Sequence, residues 1–160
     1  MSYDRSIIDA HIQKHYWSCV PSAVEMVLKL LGKVNKDYYD LQDETGNKST
    51  SFNQFDGRIV KGLQFSRIYN PNLSKPSTEY PRLESIFNTI DSELASGRYV
   101  MVSLLTPRKN FHIQVIHAKS DDDYLAFSKS GGKTIDYPHS VKARMRGMNV
   151  ADIMIYSAIK

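Results

Sequence analysis

The sequence predicts an α+β fold, with helices in the N-terminal half and an antiparallel sheet after them, and three observations point to it. Residues 19–32 carry apolar side chains at helical spacing. Residues 81–97 do so again. From 99 onward the chain breaks into five short apolar or alternating runs joined by tight turns. At 160 residues, with 41% hydrophobic and 24% charged side chains, the chain suits one domain spanning 1–160 with a single buried core.

In the first helix, Val20, Ala23, Val24, Val27, Leu28 and Leu31 share one face, and Met26 and Leu30 widen the apolar surface. Pro21 falls where a first-turn proline is tolerated and Gly32 is a natural stop, so the helix begins at Cys19 and is expected to be central. Residues 33–78 are polar, rich in Asn, Ser and Gly, and weakly periodic; short helical pieces are expected near 51–63 and a long surface connection near 70–79. Leu83, Ile86, Phe87, Ile90 and Leu94 define the second helix, ending near Gly97. Strand character follows at 99–105, 111–118, 123–129, 133–137 and 151–159. Turns such as "SDDD" and "SGG" between them suit antiparallel pairing.

The chain's one cysteine, Cys19, cannot form an internal disulfide, so the fold does not depend on an oxidising compartment. The N-terminal stretch carries Asp4, Arg5 and Asp9 and no long apolar run, which argues against a Sec signal peptide, and no run reaches the ~18 apolar residues of a membrane span. A cytoplasmic protein, or one secreted without a Sec signal, is the expectation. The formal charge is +4. Lys142, Arg144 and Arg146 alternate, as on one side of an extended segment; a solvated face is the preferred reading, and a phosphate or nucleic-acid patch the lesser one.

A thiol is nucleophilic as the thiolate, which the free N–H groups and macrodipole of a helix N-terminus favour. Cys19 occupies such a position, though a lone cysteine also serves as a small buried hydrophobe. A nearby imidazole would complete a cysteine–histidine pair. In "NFHIQVIHA" the alternation puts Phe111, Ile113, Val115 and His117 on one face, so His112 points away from it at the start of its strand, a sensible place for a general base. His117, on the apolar face, reads as a satisfied structural histidine. His11 and His15 are four apart but lack a partner at a matching offset, so no metal and no cofactor is expected. Tyr38, Tyr39, Phe52 and Phe55 read as core or linker aromatics before a recognition surface, and Asp121, Asp122 and Asp123 as a solvated turn.

The segment "QKHYWSCVPSAVEMVLKLLG" resembles the active-site region of papain-like cysteine peptidases, closest to the bacterial double-glycine leader peptidases that process bacteriocin precursors and their free-standing relatives. "IDSELASGRYVMVSLL" and "HIQVIHAKSDDDYLAFSKSGGK" extend the resemblance, which covers residues 1–32 and most of 88–160 but not 33–87. It implies a papain-like fold with Cys19 as nucleophile, Gln13, six residues before it, as oxyanion donor, and His112 as base. Two departures stand out. Val20 follows the cysteine where the family usually has glycine, and Ser128 takes the place of the aspartate sixteen residues after the histidine. A serine hydroxyl can accept the imidazole N–H without supplying charge, so the resemblance implies a Cys–His dyad with Ser128 as orienter, acting on a protein or peptide substrate. The alternative is a papain-like toxin, effector or binding module, including deamidase, acyl-transferase and non-proteolytic forms.

Overall fold

The computed structural model describes residues 3–105 and 111–159. Mixed helices and a fully antiparallel sheet make it an α+β protein. The helices are α1 (Arg5–Ala10), α2 (Cys19–Leu30), α3 (Asp40–Thr45), α4 (Leu83–Ala95) and α5 (Val141–Arg146), with one 3₁₀ turn at Phe52–Gln54. The strands are β1 (Ile59–Val60), β2 (Leu63–Asn70), β3 (Val100–Leu105), β4 (Phe111–Ser120), β5 (Asp123–Ser130), β6 (Lys133–Tyr137) and β7 (Ala151–Ala158), in the order β1-β2-β7-β3-β4-β5-β6.

The central-helix expectation for α2 is met: every residue from Val20 to Lys29 is buried. Gly32, at φ 70°, closes it, with Gly32 N–H donating to the Lys29 carbonyl and Lys33 N–H to the Leu28 carbonyl. The five strands expected after residue 99 and the second helix are also present.

The sheet is covered on both faces. On one, α1, α2 and the 3₁₀ turn pack over Phe65, Met101, Ile113, Val115, Phe127, Met154 and Tyr156. On the other, α4 and α5 pack over Val100, Val102, Leu104, Ile116, Ala126 and Ile153. The face of β4 opposite Ile113 and Val115 is therefore a second core, and α4 does not join the N-terminal helices on their side. β2 was missed because Gln64, Ser66 and Arg67 break up its apolar signal, yet it pairs with β7 along all eight of its residues, from Leu63 opposite Ala158 to Asn70 opposite Ala151. β7, last in sequence, lies between β2 and β3.

Two local expectations are corrected. Lys142, Arg144 and Arg146 lie on the helix α5, not on an extended segment. There Lys142 stands over the Phe87 and Tyr124 rings at 5.0 and 5.2 Å, and Arg146 over Phe87 at 5.4 Å, so their stems cover apolar surface. Asp123 is not merely solvated: its carboxylate accepts the Ser140 and Lys142 backbone N–H groups at the start of α5. His11 and His15 do not share a helical face, because α1 stops at Ala10. Phe52 and Phe55 are core residues, as preferred.

Candidate active site

Cys19 is the first residue of α2, with Ser18 as N-cap. Of the first N–H groups of this helix, Pro21 has none and Ser22 donates to the Ser18 carbonyl at 2.9 Å. The Cys19 and Val20 N–H groups bear on the sulfur, joined by the Ile113 N–H from β4 and by the Thr50 hydroxyl. That hydroxyl also donates to the Trp17 carbonyl at 2.7 Å, and its single proton can serve either acceptor. Burial is the largest influence and pushes the Cys19 thiol up; the Thr50, Val20, Cys19 and Ile113 donors oppose it without prevailing. The half-buried sulfur is thus a resting thiol amid groups that would stabilise a thiolate.

Holding Ser18 and the segment before it is a buried polar network. The Ser18 hydroxyl lies 2.8 Å from Gln42 Oε1, which also accepts the Lys14 N–H at 2.7 Å. Gln42 Nε2 donates to the Ile12 carbonyl and to Glu25 Oε1, and Glu25 Oε2 accepts the Leu41 and Gln42 N–H groups. Burial pushes the Glu25 carboxyl up to about 7 against these donors. Alongside, His11 Nε2 meets the Ser22 carbonyl at 2.9 Å while its Nδ1 faces Lys29 Nζ at 2.9 Å. Burial and the Lys29 charge push His11 down to about 3, so the ring is neutral and takes the ammonium proton as acceptor. Tyr39 stacks on that ring, with Lys29 Nζ 3.7 Å above the tyrosine.

His112, the second residue of β4, pairs with Leu104 and so belongs to the α4 side of the sheet, as the alternation indicated. Its strand separates from β5 here: the β4–β5 register begins at Val115 opposite Phe127. His112 Nε2 faces the Lys129 carbonyl at 3.1 Å. A carbonyl only accepts, so Nε2 carries the proton and Nδ1 presents a lone pair. Burial pushes His112 down, which keeps the ring neutral. Lys129 is itself tied down, its buried ammonium donating to the Ile8 carbonyl, the Gly132 carbonyl and Thr134 Oγ1.

Cys19 and His112 open onto one cavity of about 530 Å³, shared with Gln13, Tyr16, Trp17 and Tyr137. No hydrogen bond joins the Cys19 sulfur to the His112 ring among the described residues. Gln13 is present at the site, but its Nε2 donates to the His15 and Tyr16 carbonyls at 3.0 and 3.1 Å, and its backbone N–H to the Gly131 carbonyl. Its carboxamide therefore shapes the loop in this conformation. Ser128 differs from expectation: its hydroxyl is buried and meets the Tyr137 hydroxyl at 3.2 Å, while the ring is oriented by the Lys129 carbonyl one residue on. His117 is enclosed by Phe127, stacked at 5.2 Å, and Tyr3, edge-on at 4.6 Å, yet its Nδ1 has no partner among the described residues, so it is structural without being satisfied.

Sequence reasoning did not find Thr50, Glu25, Gln42 or the Lys129 carbonyl. Glu25 and Lys29 inside an apolar helix were a readable sign of a buried network; a backbone carbonyl leaves no such sign. Among the described residues no group of His, Cys, Asp and Glu could hold a metal, and no helix is long and apolar enough to cross a membrane. No protein-family model, curated protein or solved structure matches this chain.

Proposed function

We propose that the protein is a papain-like, cysteine-dependent amide hydrolase acting on a protein or peptide, with Cys19 as nucleophile and His112 as general base. The observation that carries this reading is the His112 ring: Nε2 is held by the Lys129 carbonyl, which leaves Nδ1 the lone pair, and the residue lines the same cavity as Cys19. The backbone carbonyl supplies the tautomer control that Ser128 was expected to give, without the charge an aspartate would add.

In the reaction, the Cys19 thiol gives its proton to His112 Nδ1 as the sulfur adds to the amide carbon. The Cys19 and Val20 N–H groups receive the developing oxyanion, joined by Gln13 Nε2 once it releases a loop carbonyl. The imidazolium protonates the leaving nitrogen, the C–N bond breaks, and an acyl thioester remains. Water then loses a proton to His112 and adds to that thioester; collapse releases the acid and returns the thiol. The same steps with ammonia as leaving group, or with an amine in place of water, give deamidation or acyl transfer.

Because both partners rest neutral, the mechanism is base-assisted and does not start from a preformed ion pair. Iodoacetamide alkylation of Cys19, followed by intact mass, tests it. The rate should climb with pH through neutrality, and His112→Ala should lower it about ten-fold at pH 7. Equal rates in the two proteins would remove the pair and the enzyme with it.

A further inference from the structure

Cys19 and Phe111 line a second hollow, of about 340 Å³, that neither Gln13 nor His112 enters; Val20, Phe52 and Ile113 wall it, with Tyr69, Ser103, Arg67 and Asp152. The two hollows thus share Cys19 and Phe111 and form two arms on either side of the nucleophile's position.

Proton transfer decides which arm takes which half of a substrate. The leaving nitrogen must come within hydrogen-bond reach of His112 to be protonated, so the leaving group belongs in the larger arm. The acyl half, which stays on the sulfur, has the smaller arm open to it. We infer that this 340 Å³ arm receives the side chain of the acyl residue, and that the Arg67–Asp152 pair selects one ending in a carboxamide, glutamine or asparagine. The inference rests on the hydrolase reading above.

The pair is the chemical feature of this arm. Arg67 Nε and Nη2 donate to the two Asp152 oxygens at 2.8 and 2.9 Å, and the guanidinium lies 4.0 Å from the centre of the Tyr69 ring. Its side chains are only 20% and 14% exposed. Being net neutral, it gives a charged side chain no counter-ion to match; a carboxylate would meet Asp152 and an ammonium Arg67. An aliphatic side chain would strip water from the pair and return nothing. A guanidinium carries five N–H donors and two are used on Asp152, while each Asp152 oxygen keeps a further lone pair. A carboxamide supplies the matching acceptor and donor side by side.

Four peptidyl vinyl sulfones, differing only in a Gln, Leu, Glu or Lys next to the electrophile, test this against iodoacetamide as the side-chain-free probe, with Cys19 labelling read by intact mass. The Gln probe should label at least about ten-fold faster than Leu, Glu or Lys, the discrimination expected when buried polar groups would otherwise go unpaired. Asp152→Asn frees the guanidinium and should move the Glu probe ahead of Gln. Arg67→Met frees the carboxylate and should move the Lys probe ahead. Rapid iodoacetamide labelling with the four probes within two-fold of one another, or any probe but Gln leading in the unmodified protein, overturns the carboxamide pocket and leaves the hydrolase reading standing. Failure of iodoacetamide to reach Cys19 overturns both. Should either variant fail to fold, the order in the unmodified protein decides.

Discussion

The two sides of the sheet are built from different materials. Against α4 and α5 the packing is mostly apolar, with Ile86, Phe87, Ile90, Val141 and Met145 on Val100, Val102, Ile116 and Ile153. Gln114 of β4 is buried on the same face, its Oε1 without a partner among the described residues. The Tyr124 hydroxyl, bonded to Asp91 at 2.8 Å, is a polar contact at its edge. Against α1 and α2 the core is interrupted by His11, Ser18, Ser22, Glu25, Lys29, Gln42 and Lys129, all buried. Burying such groups is unfavourable unless each finds partners. Lys129 is held by the Ile8 and Gly132 carbonyls and Lys29 by the His11 ring, while His11, Glu25 and Gln42 bond the backbone of residues 12–22 and 41–42, the stretch that positions Cys19. One side gives stability through area removed from water. The other gives up some of that gain to fix where a helix begins.

The largest effect that would break this comparison belongs to Gln42→Ala. It strips partners from the Glu25 carboxylate, the Ile12 carbonyl, the Lys14 N–H and Ser18 together. Unfolding in urea should show a loss of about 3 kcal/mol. Cys19 alkylation of the folded fraction should change as well, since Ser18 then keeps only its bonds to His15 and the loop before it loses its anchors at Ile12 and Lys14. An unchanged labelling rate would mean that the network stabilises without positioning.

How much of this could be read from the chain follows the same division. The apolar side was legible: Leu83, Ile86, Phe87, Ile90 and Leu94 repeat at helical spacing, and 99–105 reads as a strand, because area burial writes itself as periodicity. Cys19 and His112 were also legible, as a helix start and an alternation phase, and they do line one cavity. Their supports were not. Gln42 sits in a stretch that gave no pattern, and its partners are backbone atoms far along the chain. The Lys129 carbonyl in place of the Ser128 hydroxyl is a matter of how β4 and β5 part company, which a count of residues does not contain. β2 was hidden because Gln64 and Ser66 are exposed while Arg67 and Tyr69, on the same face as Phe65, line the second hollow instead of adding apolar residues to the core.

Acid acts on the α2 side in two opposing ways. Glu25, held up to about 7, takes its proton better in the folded protein and stabilises it as pH falls from 7 to 4.5. His11 does the reverse, so net weakening should begin below about 4.5. His11 is held down to about 3 in the folded protein, against an ordinary 6.5. Since its folded value is depressed, the unfolded chain binds the proton better, and the contribution present above 6.5 is lost as pH falls toward 3. That ring alone adds up to about 1.4 kcal/mol per pH unit to the slope in this window. Urea titrations between about 4.5 and 3 should show a shallower slope for His11→Gln than for the unmodified protein.

On the α4 side Ile90→Val is the matching probe. Ile90 is fully buried between helix and sheet, and losing one methylene there should cost about 0.5–1.5 kcal/mol. Alkylation of Cys19 should change little, because Ile90 packs within the α4-side cluster and lines neither of the two hollows that Cys19 borders. A shift in the labelling rate would show that the layers are coupled through β4.

The smallest effects come from the surface, where the two sides should behave alike. Arg58 pairs with Glu44 at 3.0 Å beside the α2 layer, and Lys119 with Asp91 at 3.2 Å beside α4. Each pair is more than a third exposed on its basic side, so water and salt screen the attraction and ordering two long side chains offsets most of what is left. Arg58→Ala and Lys119→Ala should each cost under about 1 kcal/mol, with Arg58→Ala at the upper end because its guanidinium also covers the Phe55 ring at 5.0 Å. Urea midpoints at low and high salt separate the two contributions: the ion-pair part fades with salt and the ring contact persists. A loss from either substitution as large as that of Gln42→Ala would place the organising interactions on the surface, and the contrast between a polar, positioning layer and an apolar, supporting one would no longer explain the molecule.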